Sequence, residues 1–298
     1  MGPREIVVMV AMCSVWGFHF VVIKLAVSEI PPIFYAAIRM TLVAVLMSAF
    51  LRWRPGQMRR VMLTGLCMGA LNYAFMFSGL KYGTASSSAI ALELYVPFAT
   101  ILSVVFLGEK VGWRRVSGIT LAFVGVAVIA LGMKSDDPGT HILLGVALVA
   151  GAAAIEAVGT INIKKVTGFK PHELLAWFSL IGAVVLWPLS FLLESGQSAA
   201  LAASDKMLML GAILYSAIGG SVLGHTAYYW LLQRLPVSQV APSTLLITVV
   251  AVISGVLVLG DPLGLPLIIG GFMTLVGVGV VMARTPHDKV IEPASVDT

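Results

Sequence analysis

Apolar residues run along this chain in ten blocks, and polar residues gather in the short gaps between them. An apolar block of about 20 residues matches the thickness of a bilayer's hydrocarbon core when it is helical. The pattern predicts helices over 5–27, 32–51, 60–80, 85–107, 114–133, 142–163, 172–193, 207–231, 237–259 and 264–283. Turn signals such as RWRPGQ, SDDPG and GDPLG mark the gaps. The expected class is an all-α integral membrane protein, embedded in a lipid bilayer. Composition removes the alternative of a large soluble core. Of 298 residues, 59% are hydrophobic and 11% charged, against about a quarter charged in soluble domains. The first block is longer than a signal-peptide core and no clear A-x-A site follows it, so it reads as a retained helix.

Charge then gives the chain a direction. Of the 19 basic residues, 14 fall in one alternate set of loops and four (Lys24, Lys81, Lys134, Lys206) in the other, with Arg39 inside the second block. Positive loops stay on the cytoplasmic side. Both termini are therefore expected there, in a cell inner (plasma) membrane. The basic residues are too scattered for a nucleic-acid surface. Cys13 and Cys67 sit inside apolar blocks and read as small core residues, with no disulfide or metal site.

The two halves repeat. Laid without gaps, 80–132 and 232–284 share 15 identities in 53 pairs. Leu107-Gly108 falls on Leu259-Gly260, Gly118 on Gly270 and Gly125 on Gly277. A weaker match lays Trp16 over Glu156. Five helices per half make the second half enter the membrane in the opposite sense, the inverted plan common among secondary transporters. The expected division is 1–135, 136–284 and a polar cytoplasmic tail over 285–298. Small residues such as Gly65, Gly69, Gly220 and Gly224 suit close helix packing.

The segment ALELYVPFATILSVVFLGEKVGWRRVSGITLAFVGVAVIALG resembles the end of an EamA domain. The likeness lies in a proline in the fourth helix, then LGE, a basic loop and a glycine-rich fifth helix. Arg39 in FYAAIRMTLVAVL matches the family's arginine early in the second helix. Two such domains in tandem form the ten-helix members of the drug/metabolite transporter superfamily. The second half departs from the pattern, with Asp261 in place of the glutamate and Pro262 after it. The resemblance implies export of small metabolites by alternating access around a central cavity. At subfamily level the chain is most similar to YddG-type amino-acid exporters. Export of cationic drugs is the alternative within the superfamily.

Polar groups deep in a membrane are expensive and mark candidate sites. Glu93 and Glu156 are the carboxyls well inside blocks, and His19 and His225 the deep histidines. Pro97 lacks an N–H and frees the carbonyl of Glu93, while Pro242 does the same for Ser238. Interrupted helices in matching parts of inverted repeats point to a binding site. Helices four and nine are therefore expected to line the cavity, with Glu93 facing it. His225 shares a helix face with Tyr228 and Tyr229, and His19 lies three residues from Trp16. Asn72 and Tyr73 complete the candidate substrate-binding set of Trp16, His19, Asn72, Tyr73, Glu93, Pro97, Glu156, His225, Tyr229 and Pro242. Each also has a bland reading as a helix-to-helix bond or a protonated core group. Arg39 and Lys24 read as structural or snorkelling residues, and Trp53, Trp113 and Trp187 as interfacial anchors.

Other classes fit less well. No H-E-x-x-H or G-x-S-x-G motif is present. Ser221 and His225, four apart, mimic a dyad without a third group, the residue pair an intramembrane hydrolase would use. No selectivity loop or charged ring suggests a channel. No cofactor and no nucleotide-binding loop is expected. The partners are a small-molecule substrate, an amino acid or related metabolite, with coupling to protons through Glu93 or Glu156 open.

Overall fold

The computed structural model describes residues 2–108, 111–134, 141–232, 234–235, 240 and 243–283, without the side chains of 107, 203, 229 and 232. Pro242, the side chain of Tyr229 and the tail 285–298 lie outside the described residues. Nine helices among the described residues are long and apolar enough to cross a membrane. They are α1 (Pro3–Glu29), α2 (Pro32–Phe50), α3 (Met58–Tyr82), α4 (Ala85–Phe106), α5 (Trp113–Gly132), α6 (Ile142–Ile163), α7 (Pro171–Leu193), α8 (Lys206–Tyr228) and α10 (Leu265–Met282). The apolar helix α9 (Ser243–Leu259) is shorter. A short helix that the pattern did not predict, Gln197–Ala203, lies between α7 and α8.

The packing has the symmetry that an inverted repeat demands. Helices α2 and α7 pack together, as do α5 and α10, and α1 lies on α9 as α6 lies on α4. Exchanging each helix for the one five places on reproduces these contacts. At the α5–α10 crossing a Cβ on Gly118 would lie 2.8 Å from the carbonyl of Gly277. One on Gly125 would lie 2.5 Å from that of Gly270. The glycines matched by sequence thus meet crosswise, each facing the partner of the other. Backbones approach this closely only where no side chain intervenes.

Three helices carry π segments among the described residues. α3 is π-helical over Leu66–Leu71 and α8 over Tyr215–Leu223. In the register of the repeat, 66–71 falls on 218–223, so the two π segments correspond. α9 ends in a third, Gly255–Leu259. α4 is broken between Leu92 and Tyr95. Pro97 removes the usual donor for the Glu93 carbonyl, which accepts from the N–H of Val96 at 3.1 Å instead. The interruption expected from Pro97 therefore closes within the helix as a tighter turn.

Call the face with the loops after α2 and α6 the basic face. On the opposite face, two carboxylates of the second half cap helices of the first. Glu194 accepts from the N–H groups of Ile33 (2.8 Å) and Phe34 (2.9 Å) at the start of α2. Asp261 accepts from the N–H (2.8 Å) and hydroxyl (2.7 Å) of Ser86 at the start of α4. Helix N-termini present unpaired N–H groups and a positive dipole end, and carboxylates satisfy both. At the basic face Arg54 pairs with Glu173 at 3.3 Å. Trp53 and Trp113 are exposed, as anchors should be, whereas Trp187 is half-buried and donates to the Thr41 hydroxyl at 3.0 Å.

Candidate functional site

A cleft opens between helices of both halves. α2 contributes Met40, α3 contributes Met68, Asn72 and Tyr73, and α8 contributes Ser221 and His225. Glu156 and Ile163 of α6 form another wall. Leu174, Leu175, Phe178 and Ser179 of α7 close it. Ile163, Leu174 and Leu175 flank the loop 164–170, so the cleft reaches from mid-helix toward the basic face.

The cleft is mostly apolar, with a few convergent polar groups, as small-molecule sites generally are. Glu156 supplies the carboxylate. Asn72 Nδ2 donates to Glu156 Oε2 at 3.3 Å and to the Ala152 carbonyl at 3.0 Å. That amide holds the carboxylate in place and leaves it acceptor capacity. Asn72 sits just beyond the π segment of α3, and Met68 lies within it. π segments recur at functional sites because they turn side chains off the regular helical register.

The π segment of α8 gathers the wall behind the cleft. His19 Nε2 and the Ser216 hydroxyl are 2.8 Å apart, and the Tyr35 hydroxyl also contacts Ser216. Trp16 Nε1 donates to the Gly220 carbonyl at 2.8 Å, and its ring meets His225 edge-on with centroids 5.4 Å apart. His225 Nδ1 lies 2.9 Å from the Ser221 carbonyl. The Ser221 hydroxyl accepts from Arg39 Nη2 at 2.8 Å and donates to the Ser216 carbonyl at 3.4 Å. The hydroxyl that would serve as a nucleophile is thus held on a guanidinium.

Of the residues singled out in the sequence, Asn72, Tyr73, Glu156 and His225 line this cleft. Trp16 and His19 stand behind its wall. Glu93 and Pro97 lie outside its lining. Glu93 is buried and accepts from the Thr248 hydroxyl of α9 at 2.5 Å, a bond that joins the two halves. α4 and α9, expected to line the cavity, contribute no residue to the lining of this cleft among the described residues. Pro242 and the side chain of Tyr229 lie outside the described residues.

Of the two readings of Arg39, structural or snorkelling, the packing excludes the second. It does not snorkel: it is 2% exposed, with its guanidinium 4.4 Å from the Tyr73 ring centroid and 5.7 Å from that of Phe77. Its Nε reaches the Ser216 carbonyl at 3.3 Å. The signal for this was the placement of Arg39 inside an apolar block, far from either end. Phe178 and Ser179 carried no comparable signal, since neutral small or apolar residues are ordinary in such blocks.

Comparison with known proteins agrees with this architecture. The EamA-like transporter family matches residues 3–131 and 143–283. A protein of Salmonella typhimurium named "Probable amino-acid metabolite efflux pump" is 30% identical over 84% of this chain and 85% of its own length. A protein of the same name from Escherichia coli is 27% identical over 99% of this chain and 100% of its own. An uncharacterised transporter of Archaeoglobus fulgidus is 25% identical over 94% of this chain and 99% of its own. A solved crystal structure shares the fold with a TM-score of 0.58 at 19% identity, covering 94% of this chain and 96% of the other. With two family matches that span nearly all of its apolar helices, this chain is a multi-pass membrane protein and belongs to the EamA-like transporter family of small-molecule transporters, which are not enzymes.

Proposed function

We propose that the protein exports amino acids or closely related metabolites, by alternating access around the cleft between its two halves. The observation that carries this reading is the cleft itself. A carboxylate fixed by an amide, a tyrosine ring and a histidine converge at mid-helix in an otherwise apolar pocket. Glu156 would hold a substrate ammonium, and Tyr73 and His225 would contact its side chain by stacking or cation–π attraction. The names of the two efflux-pump relatives support the same substrate class. We take 1–135 and 136–284 as the moving halves. We take both termini and the mouth of the cleft to lie on the cytoplasmic side of an inner (plasma) membrane, a reading that the basic loops support. Protonation of Glu156 or Glu93 would be the means of coupling flux to protons.

The test is flux of a panel of labelled amino acids into liposomes that hold only the purified protein, with and without a pH gradient. Saturable flux that falls at least about tenfold in Glu156→Gln supports the reading, since a charge-assisted bond contributes about that factor or more. Absence of any amino-acid flux from folded protein overturns it in favour of cationic drugs.

A further inference from the structure

Arg39 is a full positive charge in the middle of a membrane helix, and no carboxylate among the described residues pairs with it. Its Nη1 is buried without a hydrogen-bond partner. Its neighbours are a carbonyl, a hydroxyl and two aromatic faces. Such a group is costly, because a buried ion needs a counter-charge that these neutral dipoles supply only in part. Two of those neighbours, Ser221 and Tyr73, line the cleft directly. Arg39 is not itself in that lining, so the guanidinium sits one side chain behind the cleft wall.

We propose that Arg39 is the anion-recognising charge of the transport cleft, selecting substrates that carry a carboxylate. It acts at one remove, through the Ser221 hydroxyl that it polarises and through the field of its charge. The inference deepens the reading of the cleft as a transport site and rests on it. With Glu156 on one wall and Arg39 behind another, the cleft presents both signs of charge. That arrangement suits a zwitterion and disfavours a purely cationic amine, for which Arg39 is a like charge. Low surrounding polarity lets the guanidinium act across one intervening side chain. Arg39 is in this sense a positioning and selecting residue.

The test measures binding, so that it does not depend on turnover. Ligand-induced thermal stabilisation of the purified full chain in detergent would be titrated with a set of neutral amino acids and with their carboxamides, which differ only in the carboxylate. The expected result for the unaltered protein is at least about tenfold tighter binding of an acid than of its amide, the scale of one charge-assisted bond. In Arg39→Gln that ratio falls toward one, mainly through weaker binding of the acid. Arg39→Lys, which keeps the charge, retains most of the ratio. If Arg39→Gln does not fold, as its melting curve would reveal, Ser221→Ala serves, with a ratio reduced several-fold. A folded Arg39→Gln that keeps the ratio overturns the proposal. If acid binding is meanwhile lost in Tyr73→Ala, the cleft survives as the site and only the role of Arg39 fails. No stabilisation of the unaltered protein by any amino acid overturns both readings.

Discussion

The carboxylate of Asp261 accepts from both the backbone N–H and the hydroxyl of Ser86, joining the turn after α9 to the first turn of α4. Gly255 leaves the space for it, since a Cβ there would lie 2.6 Å from both the Asp261 carboxylate and the Ser86 hydroxyl. The contact ties the two halves together on the face opposite the cleft's mouth. Under the alternating access proposed above, opening of that face would release it.

Asp261→Ala and Gly255→Ala attack this contact by different means, one by charge and one by bulk. Both are expected to shift the population toward a form open on that face by about tenfold or more, the scale of a charge-assisted bond. Spin labels at the exposed positions Lys81 and Leu265 would report it as a longer distance in both variants. An unchanged distance distribution in both would show that the contact merely caps a helix.

The α5–α10 crossing should respond sharply to volume. Gly270→Val would drive a side chain into the Gly125 carbonyl, and overpacking of this kind costs about 1–3 kcal/mol. Gly279→Ala meets nothing within 4 Å and should be close to neutral. Thermal unfolding of the two variants in detergent compares them. Equal melting temperatures would mean that the crossing yields by sliding.

Thr248→Val removes the hydroxyl that Glu93 accepts from while keeping its shape. A buried carboxyl that loses its donor costs about 1–3 kcal/mol. Thr248→Ser, which keeps the hydroxyl, should recover most of that loss. A melting temperature unchanged in Thr248→Val would show that another group takes over the bond.

Pro97→Ala returns a backbone donor to α4 and lets a regular helix run through Glu93. The turn at Glu93–Leu94 should straighten, with flux slowed several-fold and the melting temperature equal or higher. Single-turnover flux beside a melting curve separates this from simple unfolding. Flux at the original rate would make the break a packing detail.

Helices and repeat were legible because each follows from a rule that acts locally along the chain. Hydrocarbon thickness sets block length, and the glycines at 118, 125, 270 and 277 mark the register because only a missing side chain permits that approach. The cleft was legible in part. Asn72 and Glu156 stand out as polar groups inside apolar blocks, and they meet in space. Glu93 stands out just as strongly, yet its partner is Thr248, and a threonine in an apolar block gives no warning that it will face a carboxyl. For Arg39 the sequence left a structural and a snorkelling role open. A long basic side chain can reach a membrane surface from many depths, and only the packed position of Tyr73 and Ser221 decides that this one turns inward. The π segments were hidden too, since one extra residue in a helical turn leaves no mark in hydropathy.

The crosswise meeting of Gly118 with Gly277 and of Gly125 with Gly270 has a consequence for ancestry. A contact that maps onto itself when the halves are exchanged is isologous, the kind that identical subunits make about a two-fold axis. One five-helix unit already carries both sides of that contact on its own fifth helix. Two copies of a single short gene product, inserted in opposite senses, would have met along the same seam before any fusion joined them into one chain.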